Sequence, residues 1–440
     1  MKIVVLITCL VLSSCSSNIL QSLISNEITS RAESNYQFSI LQGTTDSKST
    51  VIRFVYPNFL QPVYEVYDSK NNKVHVASVR DFERKAFEFK VSHVFIENLS
   101  PNESYRLEVK TQDKQWKDTR YFKTLKNSDE NLRVLVASCM SDSFNEIGNK
   151  IWPKAFAHNP DVVFLTGDNL YADVYSGIYI GSKIPTSIEH LWRRHIDHAM
   201  LMKVYRMEKL VPTFTTWDDH DYGLNNGDKS YKNKEQSAEI FKIFFPTFKN
   251  EFVSLGKGVG SSFKFRGNNF LFLDGRSFRD SESKKDGHHF GVEQRAWIQK
   301  QLADGNKLNW LIGGDQFFGA YHPYESFEGL HPIEFKKFLS ELKELNKRYL
   351  FVSGDRHLVE VMKISKKDLG SNSIEYTISG MHTKMYPGSL ERDPNPRRID
   401  GFDGEPNYVI FDIKKEGDKS KVQFRAFSLE KEKISRVDIF

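Results

Sequence analysis

Six apolar stretches of this 440-residue sequence each stop at a group that can do chemistry. Val134-Leu135-Val136-Ala137 ends at Ser138-Cys139, and Val162–Thr166 ends at Gly167-Asp168. Phe214-Thr215-Thr216-Trp217 runs into Asp218-Asp219-His220-Asp221, and Phe270–Leu273 into Asp274-Gly275-Arg276. Trp310-Leu311-Ile312 meets Gly313-Gly314-Asp315, and Leu350–Ser353 meets Gly354-Asp355-Arg356-His357. In an α/β sheet the carboxyl ends of the strands converge on one rim, where sites assemble. A glycine before the aspartate lets the backbone turn sharply and brings the carboxylate close to that rim. One such ending says little, but converging carboxylates repel one another unless a cation holds them. Six endings with imidazoles and a thiol predict a metal site.

The elements around these groups fit that placement. After Asn131, apolar strands alternate with helical periodicity, the pattern of an α/β layered domain. Ile147, Ile151 and Ala155 mark one helix, and Leu191, Trp192, Ile196, Met200 and Val204 mark a longer one over residues 187–210. Val292–Leu302 and Pro332–Leu345 read as further helices. Residues 35–127 instead show short β-branched and aromatic runs separated by Asn, Ser, Lys and Gly. That stretch predicts a small antiparallel sandwich, with Leu99–Leu107 resembling the late strand corner of a fibronectin-III-like domain. The catalytic domain is expected over residues 130–440.

Hydrophobic residues make up 39% and aromatic residues 13% of the chain, enough for a sizeable core, so disorder is not expected. The 62 basic and 57 acidic residues nearly balance, which argues against a dedicated nucleic-acid binder. Met1-Lys2 followed by the apolar run Ile3–Leu12 suits a signal-peptide core but is too short to span a bilayer. Leu12-Ser13-Ser14-Cys15 resembles a bacterial lipobox, which implies a signal peptide over 1–14, lipid on Cys15, and a tether over 15–34. Two or more acyl chains on that cysteine would anchor the chain stably to a membrane, here expected to be an outer membrane. Cys9 leaves with the signal, so Cys139 remains as the one thiol without a disulfide partner. It reads either as a small buried hydrophobe or as a ligand.

Taken jointly, Ser138-Cys139, Gly167-Asp168-Asn169-Leu170-Tyr171-Ala172-Asp173, Trp217–Asn225 and Gly354–His357 resemble the motif set of the alkaline phosphatase D family. That family belongs to the calcineurin-like metallophosphoesterases. Leu273–Arg276 and Gly291–Ile298 add to the resemblance, which spans roughly residues 35–430. It implies two β-sheets packed as a sandwich and flanked by helices, preceded by the small all-β domain. It also implies hydrolysis of small phosphate esters by metal-activated water, with ferric iron and calcium as cofactors. Zinc or manganese is an alternative for the metals, and a phospholipase-D-like or nucleotide diesterase activity is an alternative for the reaction. A surface binding lipoprotein with an inactive catalytic domain is the rival of another class.

In the family pattern the metal site takes Cys139, Asp168, Tyr171, Asp355 and His357, with Asp218, Asp219 and Asn225 as further candidates. Asp168 could bridge two cations, Tyr171 as a phenolate would favour a ferric ion, and Asn225 suits a harder one. His220 is the candidate for protonating the leaving group, with Asp221 expected to orient its imidazole. Arg276 is expected to clamp the phosphoryl oxygens. Tyr171 also reads as a core aromatic, Asp274 with Arg276 as a structural ion pair, and Asp315 as a support behind the ligands. His288-His289 reads as a solvated loop or a substrate contact. The loops 174–190 and 277–290 are expected to set substrate preference. A monomer is expected.

Overall fold

The computed structural model describes residues 38–112, 116–125, 131–175, 178–179, 186–247, 252–303, 308–417 and 419–440. The signal peptide, Cys15 and the tether therefore lie outside the described residues.

The N-terminal strands form two four-stranded antiparallel sheets. One carries Ser39–Thr45, Thr50–Pro57, Phe89–Ile96 and Val76–Glu83 in that spatial order; the other carries Lys73–Val74, Pro62–Tyr67, Ser104–Thr111 and Lys117–Lys123. Alternation along each strand sends Ile40, Ile52, Phe54, Val94, Leu107 and Val109 into one core between them. The Tyr105 hydroxyl accepts a hydrogen bond from the Ser100 backbone N–H at 2.7 Å, which pins the turn before its own strand.

The rest of the chain is a four-layer sandwich. A six-stranded sheet runs Thr213–Thr216, Val162–Thr166, Leu132–Ala137, Asn407–Glu416, Lys419–Ser428, Glu432–Ile439. Its first three strands are parallel, and the three C-terminal strands join antiparallel. An eight-stranded sheet is parallel through Asn268–Phe272, Leu308–Ile312, Arg348–Ser353 and Ser373–Ile378. The central strands are apolar on both sides because both of their faces are covered. Val134, Phe164, Phe214, Phe272, Trp310, Val352, Phe411 and Phe424 fill the space between the sheets. Ile151, Trp152, Leu191, Trp192 and Phe241 pack helices on the outer face of the first sheet. Ile298, Leu302, Phe335, Phe338 and Leu342 do so on the second.

The helix expected over 187–210 is shorter. It spans Ile188–Leu201, capped by the Ser187 hydroxyl, and Met202 turns to extended backbone before a short 3₁₀ turn at Lys203–Arg206. The apolar face of that turn continues the helix's pattern, so periodicity alone could not mark the break. No helix among the described residues is long and apolar enough to cross a membrane.

Candidate metal centre

The parallel strands of both sheets deliver their carboxyl ends to one cavity of about 820 Å³. Asp168, Tyr171, Asp219, His220, Asn225, Asp355 and His357 all line it. Among the described residues, two groups of side chains that could hold a metal ion meet there and share one residue. Single ligand atoms of Cys139, Asp168 and His357 lie within 4.8 Å of one another, and so do those of Asp168, Asp219 and His220.

The backbone is bent to bring these groups inward. Cys139, Asp168, Asp355 and His357 all have positive φ, at 57°, 50°, 66° and 51°. Left-handed backbone is uncommon for such residues and clusters at functional sites, where surrounding structure must enforce it. Here the enforcement is visible. Gly167, itself at φ 88°, passes so close to Asp218 that a Cβ would stand 2.7 Å from that residue's Cβ. A Cβ on Gly354 would meet the Thr166 carbonyl oxygen at 2.6 Å. Both glycines let neighbouring strand ends close on one another.

Cys139 is wholly buried, with Sγ 3.4 Å from Asp168 Oδ2 and 3.1 Å from the Ser379 hydroxyl. Burial pushes its thiol up to about 12, so a thiolate there requires a cation beside it. Burial also raises the carboxyl of Asp168 far above the usual range, reinforced by Cys139, Asp219 and Asp218 and opposed by His220. Asp355 is lifted to about 7 by burial and by the charge of Asp219. Burial works against the Asp219 carboxylate too, but His220, Arg276 and two backbone N–H donors hold it at about 2. The Oδ1 atom of Asp168 is buried without a hydrogen-bond partner. An acidic floor with an orphaned carboxylate oxygen and a thiol is the donor chemistry of a site that takes cations.

The Tyr171 hydroxyl sits 3.2 Å from His357 Nε2 and 3.1 Å from the Thr383 hydroxyl, facing the thiol-containing set rather than the core. His357 Nδ1 donates to the Lys384 carbonyl at 2.7 Å, which turns Nε2 toward the site. Asn225 reaches the cavity wall, and its amide donates to Asn226 Oδ1 at 2.7 Å. The ring of His220 stacks on Tyr171 with centroids 4.0 Å apart.

Three sequence expectations are corrected. Asp221 does not orient His220; Asp173 does, its Oδ1 lying 2.7 Å from His220 Nδ1. Asp221 instead accepts from the backbone N–H groups of Asp218 and Leu170 and from the Asn169 amide, fastening two strand-end loops together. Arg276 does not line the cavity. Its guanidinium is fully buried and committed to Asp218 at 2.5 Å and Glu325 at 2.8 Å. Asp218 consequently lies behind the ligand sets, held by Arg276, and does not line the cavity.

Asp315 pairs with Arg279 at 2.6 Å, a support as expected of it. Asp274 binds the Trp217 indole and the backbone N–H groups of Arg276 and Ser277 rather than the Arg276 guanidinium. His289 is buried against Asp315, and His288 meets Glu334; neither lines the cavity. Of the two loops expected to shape the rim, 176–177 and 180–185 lie outside the described residues, and Val174 and Glu282 line the cavity. The sequence reading assigned no role to Asp173, although it stands in the same short run as Asp168 and Tyr171. It also missed the walls formed by Tyr324, Glu325, Lys384, Tyr386 and Arg392.

The architecture is two mixed sheets flanked by helices, with an all-β domain in front. The solved structure of PhoD superposes with a TM-score of 0.71 over 92% of this chain and 90% of that one, at 18% sequence identity. The sensor domain of the anti-sigma factor RsgI4 of Pseudobacteroides cellulosolvens aligns over 21% of the chain with 20% identity, at a TM-score of 0.16 that carries no argument. Neither a family profile nor a curated protein sequence matches the chain.

Proposed function

We propose that this protein is a metal-dependent phosphate-ester hydrolase acting on small substrates. The observation that carries the reading is the pair of ligand sets joined at Asp168, sunk in a cavity where the strand ends meet. Cys139, Asp168, Tyr171 and His357 would hold one cation, and their sulfur, phenol and imidazole donors suit ferric iron, with zinc or manganese as alternatives. Asp168 and Asp219 of the other group, joined by Asn225 and Asp355 of the cavity wall, would hold a second, leaving His220 free for proton transfer; an oxygen set of this kind suits calcium. When bound, such cations lower the pKa of a water, neutralise phosphoryl oxygens and stabilise the leaving oxygen.

The chain's own residues supply the rest. Asp173 fixes the imidazole of His220 over the cavity, where that ring can give a proton to the departing oxygen. Asp221 and the Arg276–Glu325 pair hold the strand-end loops in register, so the ligands are preorganised before substrate arrives. Signal cleavage and acylation of Cys15 would place the enzyme on the outer membrane, where it could release phosphate from esters unable to cross the inner one.

The test is hydrolysis of a chromogenic phosphomonoester and its matched diester by the chain from Ser16 onward, with iron and calcium supplied and then chelated. Chelator-sensitive turnover that disappears in Asp168→Ala is expected, and the ratio of the two rates then separates phosphatase from diesterase. No turnover of either ester by folded, metal-loaded protein would shift the reading to a binding lipoprotein.

A further inference from the structure

A seventh strand delivers its carboxyl end to the same place. Ser373–Ile378 runs parallel beside Arg348–Ser353, and residue 379 meets the turn that carries Asp355 and His357. Polar and apolar residues alternate along this strand, so it does not read as an apolar run, yet Glu375 and Thr377 are buried. Residues 379–384 then close against the turn at Cys139. The Met381 N–H donates to the Ser138 carbonyl at 2.9 Å, the His382 N–H to the Cys139 carbonyl at 3.3 Å, and the Ser141 N–H to the His382 carbonyl at 3.0 Å. The His382 imidazole clamps the same turn, donating from Nδ1 to the Ser141 carbonyl at 3.1 Å and accepting at Nε2 from the Trp152 indole at 3.3 Å.

Neither group of ligands includes this segment, but two of its hydroxyls touch ligand atoms. Following the protons shows which way each bond runs. His357 Nδ1 donates to the Lys384 carbonyl, which leaves Nε2 without a hydrogen. The Tyr171 hydroxyl, 3.2 Å away, therefore donates to Nε2. Tyr171 has no second proton, so the Thr383 hydroxyl at 3.1 Å is the donor to the Tyr171 oxygen. Cys139 is served in the same way. Its thiol proton has Asp168 Oδ2 at 3.4 Å. Ser379 Oγ accepts the His357 backbone N–H at 2.8 Å, and its own proton is left for the Cys139 sulfur at 3.1 Å. Ser138 stands farther from that sulfur, at 3.4 Å, and has the Ile378 carbonyl at 2.9 Å for its proton.

We propose that Ser379 and Thr383 are positioning residues of the metal centre. Each aims its hydroxyl proton at one donor atom, Ser379 at the Cys139 sulfur and Thr383 at the Tyr171 oxygen. That fixes where the lone pairs point and how much electron density each gives to a cation. Hydrogen bonds from outside a ligand set orient its members and tune the metal they hold. The same segment also carries the carbonyl that orients His357, so one strand end adjusts the sulfur, phenol and imidazole donors together. This inference rests on the metal reading above.

The test uses the full chain loaded with cobalt(II) or with ferric iron and read by absorption at equal bound metal. Cobalt reports the thiolate and ferric iron the phenolate, each through the band in which the ligand gives an electron to the metal. Losing a hydrogen bond raises the donor lone pair in energy, so the band moves to longer wavelength. Ser379→Ala should move the cobalt–thiolate band and bind cobalt about 10- to 100-fold less tightly in equilibrium dialysis, and Ser379→Thr should restore both. Thr383→Val keeps the shape of the side chain and should move the iron–phenolate band alone; Thr383→Ser should restore it. Bands that neither Ser379→Ala nor Thr383→Val moves, in folded chains that bind metal, overturn the proposal and leave the metal reading in place. A metal-loaded chain that shows neither band does the same. An unaltered chain that binds neither ion overturns the metal reading and the proposal with it.

Discussion

Two sets of buried charge sit at strand ends of the same core, and they are balanced in opposite ways. Around Arg276 and Arg279 the protein supplies its own cations: Asp218, Glu325 and Asp315 each lie within 2.8 Å of a guanidinium. Around Asp168 its cations fall short. Burial outweighs His220 at Asp168 and Arg356 at Asp355, so both carboxyls are raised, and only Asp219 is held down, by His220 and Arg276. Burying a charge costs several kcal/mol unless it is paired, so the first set reads as scaffold and the second as a place for cations from outside. The comparison also explains why Arg276 is absent from the cavity wall: it is the counter-ion of Asp218, which caps the turn carrying Asp219 and His220.

Breaking the scaffold set should have the largest effect on stability. Arg279→Ala leaves Asp315 and Glu325 without that guanidinium, and a loss of about 3–5 kcal/mol in denaturant unfolding is expected. The site set should respond to metal instead. Iron or calcium at about 100 times its dissociation constant should stabilise the unaltered chain by roughly 2.7 kcal/mol, read as a raised thermal midpoint. Asp168→Ala should abolish that response, and metal should still stabilise an Arg279→Ala protein that remains folded.

A smaller change separates ligand from support. Asp173→Asn keeps the shape beside His220 but removes the charge, and kcat should fall about 10- to 100-fold while bound metal is retained. The mildest case is a lone carboxylate outside both sets. Asp197 is buried with neither oxygen hydrogen-bonded, and burial lifts its carboxyl to about 7 against the pull of Arg194. A folded pKa above the unfolded value means its stabilising contribution is full below about 3.8 and lost as pH rises through about 7. Asp197→Asn should therefore flatten the stability–pH profile in that window and gain about 1–3 kcal/mol above pH 7 in chemical denaturation.

The strand ends were legible in the sequence because buried parallel strands are apolar throughout, so the first polar residue marks the rim. That rule located Asp168, Asp219, Asp355 and His357 without reference to any contact. It could not say which way a side chain turns once the strand has ended. Arg276 follows Asp274-Gly275 in a turn that folds it inward, and Asp221 adjoins His220 in a single helical turn that sends the two to different neighbours. The true partner, Asp173, is 47 residues away and becomes adjacent only when the strands pair. Tyr324, Lys384 and Tyr386 come from loops and Arg392 from the one-turn helix Ser389–Arg392, with neither periodicity nor a preceding apolar run. Nothing local distinguishes them from solvated surface.

The central claim is that the uncompensated set around Asp168 binds cations. The direct measurement is the metal content of the purified chain, by mass spectrometry of the protein after dialysis and after reconstitution with iron and calcium. The account predicts at least one tightly held transition metal per chain, lost in Asp168→Ala and in Cys139→Ala and kept in Arg276→Met. A folded chain that holds no metal above background after reconstitution would contradict it.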